Sequence, residues 1–145
     1  MNPPPRGWPR ISSAIFYENP RAAIDWICRA FGFDVKLKVE GEDGSIRHSE
    51  LAIDGGLIMV GGLDARYPHR RTPKSIDGGN TQSVMVFVDD ADAHCAHARS
   101  CGAKILMEPE THDHGAEYWS DRSYEAEDLE GHRWWFTQRV RTAGE

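Results

Sequence analysis

The chain has 145 residues, 39% of them apolar and 28% charged, and a formal charge of −6. This length fits one domain with its own core, and the apolar share is that of a soluble globular protein. The acidic balance argues against a nucleic-acid partner, and no apolar run approaches the ~20 residues that span a bilayer.

In chain order, MNPPPRGWPR (1–10) is proline-rich and has no apolar segment of the signal-peptide kind, so it reads as a stiff extended arm. ISSAIFY is a predicted strand. Asn19 then caps a predicted helix with Pro20 at its first position, where a missing N–H costs nothing. Ile24, Ile27, Cys28 and Phe31 make one apolar stripe, and Gly32 ends the helix. FDVKLKVE, IRHSELAI and LIMVGG follow as strands, separated by EDGS and DGG turns. A segment rich in Pro, Gly and Arg, 63–80, is a linker, and its basic RYPHRRTPK reads as a solvated loop.

TQSVMVFV begins the series again. Asp90 (or Asp89) caps a helix whose stripe is Ala91, His94, Cys95 and Ala98, Gly102 ends it, and AKILMEP, RSYEAE and HRWWFTQ are strands. The interval from Asn19 to Asp90 matches that from Gly32 to Gly102 to within one residue. The predicted fold is therefore α+β, two βαβββ modules in tandem (about 11–62 and 81–140). They lie in one domain, 11–140, with a tail at 141–145. Three scattered cysteines without a C-x-x-C pair fit reduced thiols in the cytoplasm.

RAFGF at the first helix exit, VDDADAHCAHARSCGAKIL and above all EDLEGHRWWF resemble the glyoxalase / bleomycin-resistance / dioxygenase superfamily, also called vicinal oxygen chelate. The similarity runs from about Arg10 to Arg139 and is greatest to the bacterial glyoxalase-like branch. That branch ends on D-P-x-G-H-x-W-x-F, with Leu129 here in place of the proline. The resemblance implies that each module curls a mixed sheet into a half-barrel with a helix on its outer face. It also implies where metal-dependent members carry their ligands, and those positions here are Ser12, Met59, Ser83 and Trp135. Two hydroxyls, a thioether and an indole are a poor set for a divalent ion, so neither metal nor cofactor is expected. The superfamily hosts isomerases, lyases, dioxygenases, thiol transferases and drug binders, so membership alone leaves the function open.

Counting by strand alternation from those positions aims Phe16, Met59, Met85, Phe87 and Trp135 into the concave side, with His48 and Glu50 as its polar groups. Tyr124 is placed with them. An aromatic, methionine-containing concave surface with few polar groups is what a small-molecule pocket looks like, and equally what a lapsed metal cleft filled with core residues looks like. Among the other histidines, His112 and His114 lie in a polar loop, His94 is partly buried on its helix and His132 caps the hairpin turn. Tyr118 and Trp119 form a lid or a subunit contact. The leading expectation is metal-independent binding of a small aromatic or amphipathic organic molecule by a homodimer, as in drug-binding relatives. The alternative is a lyase, isomerase or dioxygenase-type enzyme using His48 and Glu50 as acid and base, or relocated metal ligands. A third reading is an interaction module without activity.

Overall fold

The computed structural model describes residues 1–145. The chain forms two compact units, Met1–Asp77 and Gly78–Glu145. The boundary falls inside the expected linker, and the first part of that segment belongs to the first unit. There Thr72 and Pro73 are buried and a 3₁₀ turn runs over Pro73–Ile76.

The first unit contains β1 (Ser13–Tyr17), α1 (Pro20–Phe31), β2 (Asp34–Glu40), β3 (Ile46–Ile53) and β4 (Gly56–Gly62). The sheet order is β1-β4-β3-β2, with β1 and β4 parallel and the other pairs antiparallel. Asn19 caps α1 by accepting from the Ala22 amide at 3.1 Å, and Gly32 closes it at φ 83°, where a side chain would be strained. Ala23, Ile24, Trp26, Ile27, Ala30 and Phe31 form its buried face and pack on the sheet, where Ile15, Tyr17, Leu51, Ile58 and Val60 are buried in turn. Each of the larger aliphatic and aromatic chains contributes about 1.5–3 kcal/mol by leaving water. Asp54 and Gly55, both at positive φ, are the two-residue turn of the β3–β4 hairpin, the geometry that matches strand twist. The proline-rich arm is tied to β2 by Lys36, whose Nζ donates to the Gly7 carbonyl and lies over the Trp8 ring.

The second unit repeats the plan with β5 (Val84–Phe87), α2 (Ala91–Ser100), β6 (Lys104–Asp113), β7 (Ser120–Glu127) and β8 (Arg133–Arg141), in the order β5-β8-β7-β6. Again the first and last strands pair in parallel. Asp90 caps α2 through the Ala93 amide, and the Gln138 side chain accepts from the Ala91 amide. Strand β6 is longer than expected. His112 lies on it opposite Asp121 rather than in a loop, because THDH carries no apolar alternation to announce a strand. Pro109 is tolerated there because β6 is an edge strand and its ladder is irregular between Met107 and Glu110.

Candidate functional site: two apolar sheet faces

In both units the helix covers one face of the sheet, and alternation sends every second side chain to the other. In the first unit the ladder sets Ala14, Met59, Glu50 and Leu37 in one row across all four strands. His48 and Val39 pair in the adjoining row, and Phe16 stands two residues beyond Ala14. The structure thus gathers Phe16, His48, Glu50 and Met59 on one face. The Glu50 carboxylate accepts from or faces His48 Nε2 at 3.1 Å. Glu50 is only 7% exposed while the His48 side chain is 40% exposed, so the pair has one dry and one wet end.

In the second unit the corresponding row is Met85, Trp135, Glu125 and Met107. The internal repeat is therefore chemical as well as topological: a carboxylate on the third strand, flanked by apolar side chains. Glu125 escaped the sequence reading because the repeat interval sets Asp121 beside Glu50, and only the ladder register equates Glu125 with it. Its Oε1 accepts from Arg133 Nη1 at 3.1 Å. Phe87 is opposite Thr137, which is bonded to Ser123. Arg139 completes the face, with its guanidinium 5.5 Å from the Phe87 ring and 5.3 Å from the Trp119 ring. Its Nε donates to Asp121 at 2.6 Å, which fixes the plane presented to both rings. Met85 and Phe87 are each 53% exposed and Trp119 39%, whereas Trp135 is half-buried.

Tyr124 must be reassigned. It is wholly buried on the helix side, stacked on Phe136 with centroids 5.1 Å apart, and its hydroxyl meets His94 Nδ1 at 2.6 Å. It pairs with Phe136 across the ladder, one residue out of phase with Glu125, and so cannot belong to the open face. Burial also pushes its phenol above the ordinary range. His94 is the half-buried structural histidine expected of that helix. The hairpin turn is capped by Asp128 rather than His132: Asp128 Oδ1 accepts from the amides of both Glu130 and His132 at 3.0 Å.

Ser12, Met59, Ser83 and Trp135 do not fit a divalent metal, and no group of three or more His, Cys, Asp or Glu side chains converges as a metal ion requires. Ser12, which precedes β1, has a buried hydroxyl that meets no protein partner. One neutral hydroxyl is a hydrogen-bonding handle and no substitute for a ligand set.

Two βαβββ units, each closing its mixed sheet by pairing first and last strands in parallel, define a protein of the tandem-module glyoxalase type. The family model "Glyoxalase/Bleomycin resistance protein/Dioxygenase superfamily" matches residues 11–136, and the chain belongs to that superfamily. An uncharacterized protein of Mycobacterium bovis is 30% identical over 138 residues, 92% of this chain and 85% of that protein. Among solved structures, TioX from Micromonospora sp. ML1 is 32% identical with a TM-score of 0.70, over 91% of this chain and 99% of that one. TnmS3 from Streptomyces sp. CB03234, described as an antibiotic binding protein, shares the fold at a TM-score of 0.62 and 17% identity, over 89% and 93% of the two chains.

Proposed function

We propose that this protein binds a small aromatic or amphipathic organic molecule against its apolar sheet faces, without a metal ion, and that it does so as a homodimer. The observation that carries this reading is the open face of the second unit. There Met85, Phe87 and Trp119 stay exposed beside a half-buried Trp135 and a guanidinium held flat by Asp121. Contiguous exposed apolar surface marks a binding or association site, and ring faces with an adaptable thioether suit a planar ligand. That TnmS3, on this fold, is described as binding an antibiotic supports the same use of the scaffold. Sequestration needs affinity alone, so a poor metal set is no obstacle. No helix is long and apolar enough to cross a membrane.

A panel of planar aromatic compounds screened by thermal shift, followed by affinity measurement on Trp135→Ala, tests this. The expected loss is about 2 kcal/mol, roughly thirtyfold in Kd. A panel without any stabilising compound, or a variant that binds as tightly as the parent, sinks the reading.

One observation favours a second reading, acid–base chemistry. His48 Nε2 and the nearly dry Glu50 carboxylate are 3.1 Å apart on an otherwise apolar face. If that pair is catalytic, turnover of a carbonyl or thioester panel disappears in His48→Gln. If no compound turns over, the pair is a polar anchor for the bound molecule.

A further inference from the structure

The loop after β4 does something the composition gives no reason to expect. Tyr67 and Arg70 fold back within the first unit, and the Arg70 guanidinium lies over two rings, 4.4 Å from the Phe16 centroid and 4.0 Å from that of Tyr67. Ring contacts of this kind engage the faces of a guanidinium and leave its N–H edge to bind. Next to it is a cavity of about 560 Å³ lined by Arg47, Arg66, Arg70 and Asp64, with Gly61 and Gly62 at the end of β4. That volume lies in the range of small-molecule pockets.

The charge in the cavity does not balance. Arg66 holds Asp64 through Nε and Nη2, and those hydrogen bonds keep the carboxyl down at about 2, so at neutral pH this couple is satisfied. Arg47 and Arg70 make no ion pair. Asp43, which acts on Arg47 through its charge, is occupied by the amide and hydroxyl of Ser45. Two guanidiniums thus line one cavity without a carboxylate in ion-pair contact, Asp64 and Asp43 acting on them only at longer range, in a chain that carries 23 acidic residues against 17 basic ones. Excess acid was available to neutralise them, and Arg70 is half-buried, where an unmatched cation costs more than at the surface.

We propose that this cavity is a binding site for the oxyanion of a small organic molecule, a carboxylate or a phosphate monoester, clamped by the Arg47 and Arg70 forks. Guanidinium forks match both oxyanions in a bidentate manner, and stacking on Phe16 and Tyr67 pre-orients one of them. A polyanion such as nucleic acid is the less suitable occupant: the chain is net negative, and the cavity takes one group rather than a backbone. The site stands independently of the aromatic face of the second unit and survives the failure of that reading.

Amide correlation spectra of the full chain, titrated with phenyl phosphate, with benzoate and with neutral benzyl alcohol, test the proposal. The two anions should shift the amides of 45–47 and 61–70 while benzyl alcohol leaves them in place, and the tighter anion identifies which oxyanion the site prefers. Arg47→Met and Arg70→Met should each weaken the anion by about tenfold or more. Arg71→Met, on an exposed neighbour outside the cavity, should change nothing. Should Arg70→Met unfold through lost stacking, the exposed Arg47 carries the test alone. Absence of localised shifts, equal affinity in Arg47→Met, or tighter binding of a short single-stranded oligonucleotide through the same amides would overturn the proposal.

Discussion

Asp128 and Trp134 are joined by a buried hydrogen bond, indole Nε1 to Oδ2 at 3.0 Å, while the other oxygen of the same carboxylate closes the turn between them. One side chain thereby fixes both the hairpin and the orientation of the tryptophan six residues on. Asp128→Ala strands two turn amides and a buried indole N–H. The expected loss is about 2–4 kcal/mol, read as a lower urea midpoint with unchanged slope. A loss below ~0.5 kcal/mol would mean that water replaces the carboxylate and that the turn does not depend on it.

The adjacent tryptophans should separate by experiment. Trp134 is fully buried and stacked on Phe136, so Trp134→Ala should cost about 3–5 kcal/mol. Trp135 is half-buried on the opposite face, and its truncation should cost clearly less in the absence of ligand. Equal losses in denaturant would place Trp135 in the core and remove it from any binding surface.

Tyr124 predicts a pH dependence. Burial raises its phenol above the ordinary value, so the folded chain keeps a proton that the unfolded chain releases near pH ~10. Its contribution is whole below that pH and is lost as the pH rises beyond it. Tyr124→Phe loses the 2.6 Å bond to His94, about 1 kcal/mol at neutral pH, but has no phenol to titrate. The gap between the two proteins should shrink between pH 9 and pH 11, and an unchanged gap would refute the assignment.

Self-association follows from the proposed dimer. Sedimentation at micromolar concentration should give about twice the 16.3 kDa of one chain. A 16.3 kDa species at that concentration would refute the dimer and leave the exposed Met85 and Phe87 to ligand binding alone.

Much of this architecture is legible in the residues because its signals are local. Asn19 and Asp90 announce helix starts, Gly32 and Gly102 the positive-φ exits, and the Leu51/Glu50 alternation tells which side of β3 meets the helix. Tyr124 was misplaced because its facing depends on register against β8, a long-range quantity that the turn length between them obscures. Leu37, Val39, Glu125 and Arg139 join the open faces only through cross-strand pairing. Each looks like an ordinary surface residue when its own strand is read alone. Arg70 was hidden for the same reason: nothing in RYPHRRTPK says that one of its arginines lies over two rings.

The strand order carries a consequence for the time course of synthesis. In each unit the strand made last, β4 or β8, is an interior strand and the sole ladder partner of the strand made first. Until β8 leaves the ribosome, β5 has no strand to pair with, and its Val-Met-Val-Phe run waits with both edges bare through the production of a helix and two further strands. Such a segment is sticky in the interval, and closing a parallel pair across so long a stretch of chain is slow. The nascent second unit is thus a moment at which this protein needs a chaperone, and slowing translation within 105–130 should increase aggregation more than the same delay within 63–80, before β5 is made.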